Sequence, residues 1–285
     1  MYLTIHELRR KFPVTKLCQS IRVARSSYYK WVHRIKSNSH IENEKVQEKI
    51  LEIHDEVNKI YGYRRMTVAV NRELGTNYNE KRIRRIMRIN HIQSIIRRKK
   101  ANWVKSSAAH IAENILNRKF DEATKPNQVW CTDVTEFKCK NNCKIYLSAI
   151  IDLYDYSIIS HVISNRNDNA LAMDTLKAAF QENPSAKPLI HSDRGFQYTS
   201  HEYNRLKEKF GFTVSMSRVS KCLDNQPIES FWGTLKAEFY YLHSFDNITG
   251  LMNGIEQYIH FYHHKRYVKK YDGLTPIEYR NQVIV

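Results

Sequence analysis

Residues 224–236 have the sequence Asp-Asn-Gln-Pro-Ile-Glu-Ser-Phe-Trp-Gly-Thr-Leu-Lys. Pro227 suits the first turn of a helix, because the N–H that proline lacks is one that this turn does not use. Apolar side chains then recur every three or four residues, which predicts an amphipathic helix with a buried face of Ile228, Phe231, Trp232, Leu235, Phe239 and Leu242. Glu229 lies at the edge of that face, where a carboxylate is held firmly and can still reach a cleft. Lys236, seven residues further on, points in about the same direction.

Two other stretches place an Asp within or after a strand-like run. Residues 129–137 are Val-Trp-Cys-Thr-Asp-Val-Thr-Glu-Phe, and residues 190–200 are Ile-His-Ser-Asp-Arg-Gly-Phe-Gln-Tyr-Thr-Ser. The acids are Asp133 and Asp193, and 35 residues separate Asp193 from Glu229. Singly, such an Asp is typical of a turn or cap, and such a Glu compensates a helix dipole. The three acids together, with their flanking residues, indicate a carboxylate site.

These three stretches resemble the integrase core of DDE transposases. The matching patterns are Trp-x-Thr-Asp-x-Thr, His-Ser-Asp-Arg-Gly-x-Gln-Tyr-Thr-Ser and Asp-Asn-x-x-x-Glu-Ser-Phe. The resemblance is to bacterial insertion-sequence transposases of the downstream-reading-frame (OrfB) type, whose core is like retroviral integrase. It implies that Asp133, Asp193 and Glu229 are catalytic and bind two divalent ions, Mg²⁺ or Mn²⁺. Such ions take oxygen ligands, and a pair of them can promote phosphodiester chemistry.

The composition is that of a folded protein with unevenly distributed charge. Of 285 residues, 42% are hydrophobic and only 8 are Gly and 6 Pro, which argues against long disordered linkers. No apolar run could span a membrane and no signal peptide is evident, so the cytoplasm is the expected location. Residues 1–120 carry 27 Lys and Arg against 10 Asp and Glu, whereas residues 121–285 carry 19 of each. The net charge of +17 therefore predicts an N-terminal module that binds a polyanion.

Residues 1–40 predict a helix-turn-helix. Their apolar positions recur at a spacing that packs two short helices across a turn. Arg22 occupies the turn position where Gly is common, and a plain helical hairpin is the alternative. The second helix would present Arg25 and Lys30 to DNA. Residues 37–40, Ser-Asn-Ser-His, are predicted to form a linker.

Residues 42–100 predict a second helical domain. The first helix is expected near 44–59, the second ends near Gly75, and Asn79 is expected to cap the third. The sequences Tyr-Gly-Tyr-Arg-Arg and Asn-x-Lys-Arg-x-x-Arg-x-Met resemble the helix-turn-helix-like region that precedes the core in the same transposases.

The end of this domain is strongly basic. Residues 81–100 contain nine Lys and Arg and no acidic residue. A solvated basic face is the plain alternative, but like charges repel unless an anion offsets them, which favours contact with DNA phosphates. The predicted DNA contacts are Lys81, Arg82, Arg84, Arg85, Arg88, Arg97, Arg98, Lys99 and Lys100.

From residue 127 the periodicity becomes that of strands. Strands are expected at 129–138, 144–153, 157–164, 188–192 and 212–217, and helices at 168–182, 200–210 and 247–264. Strands followed by alternating helices and strands predict a layered α/β fold. The resemblance implies an RNase H-like integrase core with a mixed five-stranded sheet, preceded by all-α helix-turn-helix-like domains. The expected segments are 1–40, 42–100, a linker at 101–126, the core at 127–245, and a C-terminal helix and tail at 246–285 that complete the core.

The resemblance implies a transposase that cleaves DNA at the ends of a mobile element and transfers the strand. Lys236 is expected to contact a phosphate beside the metal ions, with a surface Lys as the alternative. The expected partners are double-stranded DNA, further copies of the chain, and an upstream-frame protein or fusion that adds a helix-turn-helix and coiled coil. Two other functions remain open. A nuclease without strand transfer would not need the basic N-terminal modules, and an inactive DNA-binding regulator would not need the intact triad.

Overall fold

The N-terminal helices form a small unit. The computed structural model describes residues 1–96, 115–116, 123–140, 143–217 and 225–284. Helices α1 (Tyr2–Leu8), α2 (Val14–Ser20) and α3 (Arg25–Val32) pack around buried Ile5, Cys18 and Tyr28. The predicted pair of helices across a turn is α2 and α3, whereas α1 was not predicted. Arg22 lies in the turn with a φ of 57°, a left-handed conformation that usually favours Gly.

The next three helices form a second unit, here called the helix-turn-helix-like domain. They are α4 (Asn38–Glu56), α5 (Tyr63–Leu74) and α6 (Glu80–Ile89). Gly75 ends α5 in the left-handed conformation, with a φ of 60°. The Asn79 carboxamide oxygen accepts a hydrogen bond from the Lys81 N–H at 2.8 Å and so caps α6. Both predicted signals therefore act as expected.

The predicted linker at residues 37–40 is wrong. The Ser37 hydroxyl accepts a hydrogen bond from the His40 N–H at 3.2 Å, and α4 begins at Asn38. Ser is a favoured N-cap residue, so this polar run starts a helix instead of separating two domains. The helix is therefore longer than the predicted one, which began near residue 44.

The core contains a mixed five-stranded sheet, as predicted. Its strands, in the order β3-β2-β1-β4-β5, are β1 (Val129–Lys138), β2 (Lys144–Asp152), β3 (Ile158–Ser164), β4 (Leu189–Ser192) and β5 (Thr213–Met216). β1, β2 and β3 pair antiparallel, while β4 and β5 continue the sheet parallel to β1. The strand bounds agree with the expected ones to within one residue at each end.

Helices cover both faces of the sheet. Trp130 and Ile150 pack with α7 (Asn169–Glu182) and α8 (His201–Phe210) on one face. Cys131 and Phe137, from alternate positions of β1, pack with α9 (Gln226–Glu238) and α10 (Ile248–His264) on the other. The last helix is α11 (Pro276–Ile284). Among the described residues, no helix is both long enough and apolar enough to span a membrane.

The predicted apolar face of α9 extends too far. Ile228, Phe231 and Leu235 are buried as expected, but α9 ends at Glu238. The Phe239 ring lies against Gly254 of α10, where the chain leaves the helix. Leu242 belongs to a separate 3₁₀ turn and packs against the helix-turn-helix-like domain. Close packing against α10 thus overrides the helical spacing.

Candidate active site

Asp133 and Asp193 are brought side by side by the pairing of β1 with β4. The two strands are parallel, and their last pair in register joins Thr132 with Ser192. The residue that follows this pair in each strand is an Asp. Asp133 lies inside β1, and Asp193 comes directly after β4. The sheet therefore places two of the three predicted carboxylates next to each other, at the end of β4.

Helix α9 is attached to β1 by two side-chain contacts and carries the third carboxylate. The Trp232 indole N–H donates to Asp133 Oδ2 at 3.0 Å, and Lys236 Nζ donates to Thr135 Oγ1 at 2.7 Å. These residues are four apart on the helix and their partners are two apart on the strand, so the helix lies along β1. Glu229 is in the first turn of α9 and is exposed.

The pKa values of all three carboxylates are raised, mainly by burial. Burial, and after it the charge of Asp193, raises the pKa of Asp133 to about 7, although hydrogen bonds from the Val134 N–H and Trp232 oppose the change. The charge of Glu229 also raises the pKa of Asp133. Burial and the charge of Asp193 raise the pKa of Glu229, and burial raises that of Asp193. The negative charge at this site lacks sufficient compensation from the described residues.

The loop after β4 fixes one oxygen of Asp193. The Gly195 N–H donates to Asp193 Oδ1 at 2.8 Å. A Cβ at this position would lie 2.6 Å from Gln197 Oε1 and 3.0 Å from Asp193 Oδ1. A larger residue in this Ser-Asp-Arg-Gly segment would therefore have to displace the Gln197 amide and would crowd the Asp193 carboxylate.

Asn225 lies beneath the same site, just before α9. Its side chain is 3% exposed, and Nδ2 donates to the Thr132 carbonyl oxygen at 3.4 Å. Its Oδ1 atom has no hydrogen-bond partner among the described residues. The contact ties the start of α9 to the backbone next to Asp133.

The donor set fits a divalent metal ion by its chemistry. Three carboxylates supply hard oxygen ligands of the kind that Mg²⁺ and Mn²⁺ prefer, and a cation would offset their repulsion. Within the ranges that the structure describes, however, no group of three His, Cys, Asp or Glu side chains is arranged to hold a metal ion. The carboxylates are therefore neighbours that do not yet form a closed set of ligands.

Lys236 is half-buried beside the carboxylates. Burial lowers its pKa, against the charges of Asp133 and Glu136, and its ammonium group lies 5.2 Å from the centre of the Phe137 ring. The predicted proximity of Lys236 to the acidic site is present. Its contact with a phosphate stays a prediction.

The other predicted DNA contacts lie in different parts of the chain. Six of the predicted contacts have exposed side chains on α3 or α6: Arg25, Lys30, Lys81, Arg84, Arg85 and Arg88. Arg82 instead donates to Glu42 at 2.8 Å and to Asn43 at 3.0 Å, which joins α6 to α4. The predicted contacts at residues 97–100 (Arg97, Arg98, Lys99 and Lys100) lie outside the described residues. None of these DNA contacts is tested by the structure.

Sequence reasoning missed the polar role of Trp232. The residue was assigned to the apolar face of α9, and its ring is indeed buried, with 6% exposed. A buried indole N–H usually finds an acceptor, and the one available here is the carboxylate of Asp133. That general rule was the signal that could have identified the contact.

Comparison with known proteins agrees with this architecture. Family models described as "Integrase core domain" match residues 123–222 and 229–284, and one described as "HTH-like domain" matches residues 41–100. The catalytic core domain of HTLV-2 integrase, solved in complex with magnesium, is 21% identical with a TM-score of 0.45. The match covers 55% of this chain and 98% of that one.

Curated relatives match over nearly the whole sequence. The putative transposase InsK of insertion sequence element IS150 from Escherichia coli K12 is 39% identical over 279 residues, covering 98% of this chain and 97% of the relative. A probable transposase of element IS1353 from Shigella flexneri is 33% identical, with 98% of this chain and 54% of the relative covered. The chain belongs to the bacterial insertion-sequence transposases, with a helix-turn-helix-like domain preceding an integrase core.

Proposed function

We propose that this transposase cleaves DNA at the ends of its element and joins the released end to a target, with Asp133, Asp193 and Glu229 as its catalytic carboxylates. The observation that carries the proposal is the electrostatic one. Burial raises the pKa of all three neighbouring carboxylates, the charge of Asp193 raises those of Asp133 and Glu229 further, and the pKa of Asp133 reaches about 7. Unpaired charge of this kind costs stability, and it accumulates where a protein binds a cation or performs chemistry.

The three carboxylates would hold two divalent ions, Mg²⁺ or Mn²⁺. Bound ions of this type activate an attacking oxygen and neutralise charge at the phosphorus and the leaving oxygen. The hydrogen bonds from Trp232 to Asp133 and from Gly195 to Asp193 keep one oxygen of each Asp oriented. The second oxygens and Glu229 would complete the ligand set. Lys236, already held beside Asp133, would contact a phosphate of the bound strand.

The proposed reaction has two displacements. In the first, the oxygen of a water molecule attacks the phosphorus at the element end, and the 3′ oxygen leaves and takes up a proton. In the second, that 3′-hydroxyl loses its proton, attacks a phosphodiester of the target and displaces the target's own 3′ oxygen. No covalent bond between protein and DNA is required.

The helix-turn-helix-like domain and the N-terminal unit would hold the DNA. The exposed basic side chains of α3 and α6 suit contacts with phosphates, which supply affinity and not sequence choice. Transfer joins two DNA segments, so more than one copy of the chain is expected in the complex. The IS1353 relative is longer than the matched region, which supports an additional segment, supplied in cis or by an upstream-frame protein.

The test is a strand-transfer assay on labelled DNA that carries an end of the element, with Mg²⁺ or with EDTA, for wild type and Glu229→Gln. We expect joined product only with wild type and Mg²⁺. Cleavage without joining would indicate a nuclease. If DNA is bound but no product forms, the assay is repeated with the upstream frame fused, and continued absence of product would indicate an inactive regulator.

A further inference from the structure

Glu238 ends α9 in a cluster of buried charges, here called the Glu238 cluster. Its side chain is 6% exposed. Oε1 accepts hydrogen bonds from Arg65 at 2.9 Å and Arg266 at 3.0 Å, and Oε2 accepts from Tyr258 and Arg266, each at 2.9 Å. Burial alone would raise the pKa of Glu238, but the charges and hydrogen bonds of Arg266 and Arg65 hold it below its ordinary value. This carboxylate is therefore fully satisfied.

The donors come from distant parts of the chain. Tyr258 is on α10 and Arg266 follows it, so both belong to the C-terminal part of the core. Arg65 is on α5, in the helix-turn-helix-like domain. The Glu238 cluster therefore joins the proposed DNA-binding domain directly to the helix that carries Glu229.

Other contacts fix the same domain to the C-terminal segment. Arg72, also on α5, forms a paired contact with the two carboxylate oxygens of Glu278 at 2.8 and 2.6 Å and donates to the Gly273 carbonyl oxygen at 3.1 Å. The Tyr61 hydroxyl donates to the Lys265 carbonyl oxygen. These contacts hold the domain in place without touching α9. They make Arg72 a matched control for Arg65, because both lie on α5 and bind an acid across the interface.

We propose that Glu238 is a positioning residue, through which docking of the helix-turn-helix-like domain fixes α9 and thereby the position of Glu229. This inference rests on the proposed function of Glu229. Glu238 is nine positions after Glu229, a distance of about 13 Å along a rigid helix. A small rotation at the Glu238 cluster therefore moves Glu229 relative to Asp133 and Asp193.

The state of the acidic site supports this coupling. Its three carboxylates are neighbours that are not arranged as metal ligands in the described structure. A movement of α9 would change the position of Glu229 relative to Asp133 and Asp193, because Glu229 is in the first turn of that helix. When the helix-turn-helix-like domain binds DNA, a shift of α5 would reach the last turn of α9 through the ion pair of Arg65, which is 28% exposed, with buried Glu238.

The experiment measures hydrogen exchange of the backbone amides of α9, residues 226–238, without metal, in the presence and absence of a short DNA duplex. Wild type, Arg65→Met and Arg72→Met are compared, and fluorescence anisotropy measures duplex affinity. We expect the duplex to slow exchange in wild type and Arg72→Met by about tenfold, within the usual range of coupling between sites. Arg65→Met should bind the duplex with similar affinity and lose this protection.

Equal protection in the two variants, or equal loss, would overturn the inference. Absence of protection in wild type would overturn it as well. Arg65→Lys keeps the charge but not the planar fork, so we expect intermediate protection; if folded Arg65→Lys behaves like wild type, Arg65 has no role in positioning α9 beyond its charge.

Strand cleavage in Mg²⁺, measured on the same proteins, separates this inference from the proposed function. The rate should fall by about tenfold in Arg65→Met and little in Arg72→Met. Protection of α9 in a wild-type protein that makes no product, even with the upstream frame fused, would contradict the proposed function and leave the positioning role intact. Product formation without protection of α9 would do the opposite.

Discussion

The carboxylates at the two ends of α9 lie in opposite electrostatic environments. At the last turn, Glu238 accepts four hydrogen bonds from two arginines and a tyrosine, and its pKa is held below the ordinary value. At the first turn, Glu229 faces Asp193 and Asp133, and the pKa values of all three carboxylates are raised, mainly by burial. Helix α9 therefore carries a carboxylate with four hydrogen bonds at its last turn, Glu238, and one at its first turn, Glu229, that lies near two further carboxylates.

This difference separates a structural role from a functional one. A buried acid that serves the fold is surrounded by donors, because an unpaired buried charge costs several kcal/mol. Acids with fewer partners reduce stability, and such groups cluster where proteins bind ligands or perform chemistry. The contrast predicts how each end responds to substitution and to pH.

The largest effect on stability is expected at the satisfied end. Glu238→Ala removes the only carboxylate in the cluster and leaves Arg266, 13% exposed, beside Arg65 without its acid. Breaking a buried pair in this way costs about 3–5 kcal/mol in the free energy of unfolding. Urea denaturation of the two proteins measures the difference.

Glu229→Gln is the matched change at the other end of the helix. Glu229 is exposed and its charge is repelled by its neighbours, so its loss should alter the free energy of unfolding by about 0.5 kcal/mol or less. Equal losses from the two substitutions would show that the ends of α9 do not differ as described.

Much of the fold could be predicted from the sequence because its signals are local. The alternation of β1, the Gly75 stop and the Asn79 cap each act within a few residues, and the element bounds followed from them. The errors arose where a local cap was assigned to a linker and where a tertiary contact decides. Ser37 starts α4 earlier than expected, and Phe239 ends α9 because its ring packs on Gly254.

The acidic site was predictable for a different reason. Asp133, Asp193 and Glu229 lie in recognisable motifs, so their proximity could be expected before the sheet was seen. Glu238 and Arg65 are separated by more than half the chain, and neither lies in a pattern that signals a partner. An ion pair formed by the docking of two domains has no local signature, and only the structure brings it to attention.

The second prediction is that Asp133 and Glu238 make stability depend on pH in opposite directions. The pKa of Asp133 is raised from 3.8 to about 7, so between those values the folded state binds more protons than the unfolded state, and stability falls as pH rises. Asp133→Asn removes this loss. The variant should therefore gain about 1–2 kcal/mol on wild type between pH 4 and pH 7, after allowance for screening by water.

Glu238 provides the contrasting case in the same experiment. Its lowered pKa means that its stabilisation is present above the ordinary value of 4.5 and is lost as pH falls below it. Near neutral pH the free energy of unfolding should be larger for wild type than for Glu238→Gln, and this advantage should disappear in acid. Asp133→Asn should instead be more stable than wild type near pH 7, and this advantage should also disappear in acid. Urea denaturation at a series of pH values checks both, and slopes of the same sign would contradict the comparison.

The smallest effect concerns the hydrogen bond from Trp232 of α9 to Asp133 of β1. Trp232→Phe keeps an aromatic ring on the buried face of α9 but removes the N–H that donates to Asp133 Oδ2 at 3.0 Å. That donor favours the ionised carboxylate, so its loss should raise the pKa of Asp133 further. In urea denaturation without metal, the fall in stability with rising pH would then extend to a higher pH. Phe231→Leu, which changes a neighbouring buried ring without touching Asp133, is the control. A pH profile that moves equally in both variants would assign the effect to packing of α9 and not to the hydrogen bond.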